Sequence, residues 1–161
     1  MLLEVIDVFR HNTHPEENPP LRVLYVDDNR DVPDSSVDLL RLFGFEPRAC
    51  YDGPSALAEA VTFRPSVCLI DLNMPNMDGD ELAIRLREQT HDHPLILVAV
   101  TAMSGDREAE RIRAAGFDMH FIKLVDPQQL LMLVDTLWRA WLRWVHRDDK
   151  KRPSEEDRSG R

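Results

Sequence analysis

The sequence predicts an α/β fold in which a five-stranded parallel sheet is covered by five helices on both faces. Three observations lead there. Of five short strand-like runs, the three at 21–27, 66–71 and 95–100 are apolar nearly throughout rather than alternating, which suits strands buried on both sides. Between and after them lie longer stretches with helical spacing of apolar residues, so strand and helix alternate along the chain. Charged residues gather where the apolar runs end, and an open α/β sheet places its ligand crevice at the C-terminal ends of its strands.

The elements follow in order. LRVLYVD (21–27) is a buried strand that ends in charge, and Pro33 to Phe43 is a helix, with Pro33 suited to its first turn and Gly44 to its stop. FEPRAC (45–50) is a short strand whose Pro47 points to a sheet edge. Pro54 to Thr62 is the second helix, and SVCLID (66–71) is an apolar run ending on Asp71. Glu81 to Glu88 lies in the third helix. LILVAV (95–100) is the most apolar strand and ends at Thr101. Ser104 to Ala115 is the fourth helix, closed by Gly116, and HFIK (120–123) is the last strand. Asp126, Pro127 and Gln129 match an N-cap, first turn and capping-box partner for a final helix running to about His146.

Bulk properties narrow the class. With 161 residues, 43% of them hydrophobic, the chain can bury one real core. A formal charge of −9 argues against a nucleic-acid surface, which needs Lys and Arg, yet permits an acidic metal site and basic partners. Cys50 and Cys68 sit inside apolar runs and read as reduced core residues. No apolar run approaches the ~18 residues of a membrane span. The first nine residues contain Glu4 and Asp7 and lack a basic start, so a secretory signal is not expected and the cytoplasm is the expected location. The boundaries read as an N-terminal segment and proline-rich linker over 1–20, one domain over 21–147, and a disordered charged tail over 148–161.

The chemistry sits at the strand ends. Asp27, Asp28, Asp71, Thr101 and Lys123 fall at or just past the C-terminal ends of four different strands, so residues distant in sequence meet in one crevice. Three converging carboxylates repel one another unless a cation is present, and hard oxygen donors in that number suit Mg²⁺. A carboxylate can also act as a nucleophile and form an aspartyl phosphate. Lys123 would then neutralise one phosphoryl oxygen and the Thr101 hydroxyl would hydrogen-bond another. Each residue also has a plain reading: an Asp-Asp pair can cap a helix, a Lys can be solvated, and a Thr can pack. Their conjunction at four strand ends is what favours a site.

These residues resemble the receiver domain of two-component response regulators over about residues 21–145. The resemblance rests on LYVDDN (24–29), YDGPSAL (51–57), LIDLNMPNMDG (69–79), VTA (100–102) and GFDMHFIK (116–123), of which the MP-x-MDG stretch is the most specific. It implies a flavodoxin-like, doubly wound sheet of order 2-1-3-4-5. It makes Asp71 the phosphoacceptor, Asp27 and Asp28 the acidic pair with Asp28 a direct metal ligand, and Asn73 the donor of a backbone carbonyl to Mg²⁺. Thr101 becomes the switch hydroxyl and Lys123 the site lysine. The side chains of Asn73 and Met103 would flank the path of a hydrolytic water. Two positions depart from the family pattern. Lys123 is followed by Leu124 where the family usually has proline, and a cis peptide there costs about 2.5–4 kcal/mol against under ~1 before proline. His120 stands where the switch aromatic is commonly Tyr or Phe, which places a titratable ring at that position.

The implied function is a phosphoacceptor signalling domain, not a turnover enzyme. Its partners are a sensor histidine kinase or phosphotransfer protein and a downstream protein target, with neither nucleic acid nor membrane. The remaining residues hold no effector domain, so a stand-alone receiver or relay protein is expected. Three other functions stay in view. A flavodoxin-like cofactor binder would need a Ser/Thr/Gly-rich phosphate loop after the first strand, where this chain has DDNRD. A small-molecule phosphatase would need a general acid near Asp71, which Asn73 cannot be. A degenerate receiver would serve as a protein-binding module without phosphorylation. The last helix carries two apolar stripes, one through Leu130, Val134, Leu137, Trp141 and Val145, the other through Leu131, Trp138 and Leu142. Leu2, Val5, Ile6 and Phe9 form one helical face that could cover the second stripe, within the chain or across a homodimer.

Overall fold

A computed structural model of the chain describes residues 20–102, 105–123 and 126–149, with side chains described as far as Arg143. Strands β1 (Arg22–Val26), β2 (Glu46–Cys50), β3 (Val67–Asp71), β4 (Ile96–Thr101) and β5 (Met119–Ile122) alternate with helices α1 (Asp31–Leu42), α2 (Gly53–Phe63), α3 (Gly79–Gln89), α4 (Asp106–Ala114) and α5 (Pro127–Asp149). All pairings are parallel, in the order β2-β1-β3-β4-β5. The expected sheet order is therefore observed, and β2, with Pro47, occupies an edge.

The alternation along each strand explains why the runs read as continuously apolar. In β1, Leu24 and Val26 face one layer while Val23 and Tyr25 face the other. The first layer joins Cys68, Ile70 and Leu97 to Ala56, Ala60 and Phe63 of α2 and to Leu82, Ala83 and Leu86 of α3. The second joins Val67, Leu69, Val98 and Val100 to Leu40 of α1 and to Leu131, Val134, Leu137 and Trp138 of α5. Each such aliphatic side chain contributes roughly 1.5–3 kcal/mol on burial, so the sheet is held from both faces.

Helix ends follow the sequence signals with small shifts. Asp52 caps α2 by accepting the Ser55 N–H at 2.7 Å, and Asp126 Oδ1 accepts the Gln128 N–H at 2.9 Å at the start of α5. Gly44 and Gly116 take φ of 83° and 76° after α1 and α4, the left-handed stop that glycine adopts without steric cost. Several boundaries shift by a residue or two from the sequence reading, as in α4, read from Ser104 to Ala115 and observed over Asp106–Ala114. Helix α1 begins at Asp31, which places Pro33 inside its first turn, where a missing N–H leaves no bond unmade. Helix α3 begins at Gly79, because its N–H donates to the Leu72 carbonyl at 2.9 Å and starts the helix directly against the end of β3. Helix α5 continues through Asp148 and Asp149, residues assigned above to the tail.

The two stripes on α5 join into one broad face. Leu131, Val134, Leu137 and Trp138 are buried, Leu130, Trp141 and Leu142 pack partly against the same cluster, and Trp138 meets Phe45 edge-on at 6.2 Å. The segment 1–19, Met103, the Lys123–Leu124 junction and residues 150–161 lie outside the described residues.

Gly79 is sterically enforced. A Cβ built there would lie 2.2 Å from the Asp71 carbonyl oxygen and 2.9 Å from the Leu72 Cα, both backbone atoms that cannot swing away. At Gly105 the nearest atom is only the tip of the Glu108 side chain, at 2.8 Å. Gly79→Ala is therefore expected to lower unfolding free energy by roughly 1–3 kcal/mol in urea titrations, and Gly105→Ala, at an extended N-cap position with only a movable side chain nearby, by less, about 0.5–1 kcal/mol.

Candidate functional site

The C-terminal ends of β1, β3 and β4 and the residue after β5 supply the site. Asp27 follows β1 and is fully buried. Its N–H donates to the Cys50 carbonyl at 3.1 Å, and its Oδ1 accepts the Asn29 N–H at 3.0 Å, so backbone geometry fixes the side chain. Asp71, the last residue of β3, is 5% exposed. Its Oδ1 receives a long contact from the Asn73 N–H at 3.4 Å. Asp28 is exposed at the mouth.

Lys123 joins the two buried acids. Its Nζ donates to Asp71 Oδ2 at 3.0 Å and lies 2.8 Å from Asp27 Oδ2. Its own N–H donates to the Thr101 carbonyl at 2.6 Å, which extends the β4–β5 pairing by one residue and aims the side chain inward. The lysine therefore reaches the site although leucine follows it. Thr101 is 1% exposed at the end of β4, next to the Asp71–Val100 pair in register.

The electrostatics are strained by burial. Desolvation pushes the Asp71 carboxyl above the usual carboxylate range, and the Lys123 hydrogen bond and charge oppose it without cancelling it. For Lys123, burial would lower the value, but hydrogen bonds and charge from Asp27 and Asp71 outweigh it and raise the amine. One oxygen from each of Asp27, Asp28 and Asp71 lies within 4.8 Å of the others. Asp27 Oδ2 is sealed from solvent and pairs with the Lys123 ammonium at 2.8 Å. One ammonium does not balance three carboxylates, and three hard oxygen donors this close fit a small divalent cation that retains some water.

Among the residues singled out in the sequence, Asp27, Asp28, Asp71 and Lys123 converge, and Thr101 adjoins them. Asn73 lies in the loop directly after β3. His120 sits on β5 opposite Ala99, with its side chain exposed. One participant escaped the sequence reading. Arg111 of α4 reaches across to this loop, donating to Asn73 Oδ1 at 3.0 Å and to the Leu72 carbonyl at 3.3 Å. Nothing local distinguishes it from the neighbouring Arg107 and Arg113 in a charged helix; only the fold selects it.

Comparison with known proteins places this geometry. A family model for the response regulator receiver domain matches residues 23–135. The transcriptional regulatory protein PrrA of Mycobacterium tuberculosis is 36% identical over 118 residues, covering 73% of this chain and 50% of that protein. The regulatory protein VanRc of Enterococcus gallinarum is 26% identical over 139 residues, covering 86% of this chain and 59% of that one. The chain thus spans about half the length of the curated relatives it matches. Among solved structures, the chemotaxis protein CheY4 of Vibrio cholerae superposes with a TM-score of 0.69 at 27% identity, over 73% of this chain and 98% of that one. A CheY-like receiver domain protein from Methanospirillum hungatei gives 0.67 at 25% identity, over 74% and 95%.

The raised carboxyl of Asp71 has a stability consequence. The folded chain holds that proton more tightly than the unfolded chain does, so the ionised group destabilises the fold, and the cost grows as pH rises through the carboxylate range. With no divalent metal present, Asp71→Asn is expected to raise the melting temperature by a few degrees at pH 7. The gain should shrink toward pH 4, which calorimetry across that range measures.

Proposed function

The chain belongs to the response regulator receiver family, and from that premise we propose that it accepts a phosphoryl group on Asp71 from a histidine kinase or phosphotransfer protein. A downstream protein, not nucleic acid, reads the product. The observation that carries this reading is the contact of Lys123 with both Asp71 and Asp27, with Asp28 beside them. Buried beside an ammonium and poorly solvated, the Asp71 carboxylate is a competent nucleophile.

Asp27, Asp28, Asp71 and the Asn73 carbonyl would hold Mg²⁺, with Asp28 as a direct ligand. When bound, the metal neutralises part of the carboxylate charge and of the phosphoryl group's negative charge. In the transfer, a carboxylate oxygen of Asp71 forms a bond to phosphorus while the bond from phosphorus to the donor's leaving group breaks. Lys123, already against Asp71 Oδ2 at 3.0 Å, follows the charge onto a phosphoryl oxygen. Thr101, at the adjoining strand end, offers its hydroxyl to another, and His120 on β5 responds as the switch residue. The chemistry is limited to gaining and losing this group, so the domain signals and does not turn over external substrates. Cytoplasmic residence belongs to the same reading, supported by Cys50 and Cys68, both buried and free, with burial pushing the Cys50 thiol up to about 11.

With Mg²⁺ and acetyl phosphate the protein is expected to gain one phosphoryl group, labile to alkali and hydroxylamine, by intact-mass measurement. Asp71→Asn should abolish the gain, and Asp28→Ala should slow it by at least ~10-fold. A mass gain that survives Asp71→Asn would place the acceptor elsewhere.

A further inference from the structure

Helix α4 is lightly anchored by apolar contacts. Its one buried residue, Ile112, packs with Leu72 and Ala99 in a small cluster of its own, partly covered by Phe117. Among the described residues, Arg111 adds a polar attachment on the β3 side of the sheet. Arg111 Nε and one terminal nitrogen donate to the two carboxylate oxygens of Asp80 at 2.9 and 3.0 Å, a two-point grip on the first turn of α3. The same terminal nitrogen reaches the Leu72 carbonyl at 3.3 Å and lies 3.7 Å from Asp78, while the other donates to Asn73 Oδ1 at 3.0 Å. Arg111 therefore touches the acceptor loop at its first residue, at Asn73 and at its far end. Asn73 is exposed, and its side chain is held by this hydrogen bond at one end while its N–H contacts Asp71 at the other.

We propose that Arg111 is a positioning residue for the metal site: by pinning Asn73 and Asp80 together it holds the loop after Asp71 in the shape that presents the Asn73 backbone to Mg²⁺. Met74 and Met77 bury the rest of this loop in the core, whereas Asn73 is exposed, and Asn76 farther along takes the left-handed region at φ 69°. Hydrogen bonds from Arg111 lower the Asp80 carboxyl below its ordinary value, so the grip is an ion pair as well as a hydrogen-bonded fork. Lysine could not replace it, because a single ammonium cannot meet a carboxylate, an amide oxygen and a carbonyl in this fixed fork.

The inference rests on Mg²⁺ binding at the proposed acceptor site, and its test separates the two. Mg²⁺ binding to the full, unphosphorylated chain is measured by titration calorimetry in the wild type, Arg111→Ala, Arg111→Lys, Asn73→Ala and the Arg111→Ala/Asn73→Ala double variant. Thermal melting is followed in parallel, and hydrogen exchange of amides 72–80 reads the loop directly. Arg111→Ala is expected to weaken Mg²⁺ binding by about 10-fold and to speed exchange across 72–80. Arg111→Lys, which keeps the charge and preserves folding, should weaken it comparably. The double variant should bind no more weakly than Arg111→Ala, because one tether has been cut from both ends. Wild-type affinity in a folded Arg111→Ala or Arg111→Lys overturns the proposal alone, as does full additivity in the double variant. Absence of Mg²⁺ binding by the wild type overturns this proposal and the functional reading together.

Discussion

Two carboxylates, Asp27 and Asp71, are sealed from water at the ends of adjacent strands, and one ammonium, Lys123, stands between them. An isolated charge in such a place would be neutralised or would open the fold. Here each charge has a fixed partner. Asp27 also takes a backbone N–H from Asn29, so its orientation does not depend on lysine alone. Lysine in turn is set by its backbone bond to Thr101. The balance is incomplete, with burial still holding Asp71 in disfavour as an anion. That residual cost can be relieved by adding positive charge among the acids.

Such a cost is tolerable only on a rigid frame. The sheet supplies it by burying both faces, with β1 and β3 central and packed above and below. The frame also dictates how close the following elements may come. Helix α3 starts at Gly79 against the backbone of Asp71 and Leu72, at a separation no side chain permits. The specific glycine of the MP-x-MDG stretch is thus a packing requirement before it is a functional mark: it lets a helix begin within a hydrogen bond of the end of β3.

Much of this was legible in the sequence because it is encoded locally. Continuous apolar runs declare strands covered on both sides, as Val23 through Val26 and Val67 through Ile70 do. Polar residues at the run ends declare the crevice, since parallel strands in one sheet bring all their C-terminal ends to one side. What could not be read locally was geometry set by tertiary contact. The start of α3 depends on a backbone clash visible only once β3 and the loop are folded. The two stripes of α5 looked separate on a helical wheel, yet Trp138 and Leu131 from one pack with Val134 and Leu137 from the other over a sheet broad enough to take both. Arg111 lacked any signature because its three kinds of acceptor, Asp80, Asn73 and Leu72, lie more than thirty positions upstream.

The contrast between α4 and α5 shows how the fold divides rigidity from response. Helix α5 contributes Leu131, Val134, Leu137 and Trp138 to the larger core layer, and displacing it would expose all four. Helix α4 contributes Ile112. Helix α4 thus keeps little hydrophobic contact, and the Arg111 fork ties it to the loop after Asp71. A polar grip of this kind is directional: it fails when its acceptors turn a few tens of degrees, whereas apolar packing tolerates such turns. The helix that follows the Thr101 strand end is the least anchored, and the side chain that anchors it is fastened to the loop that follows Asp71.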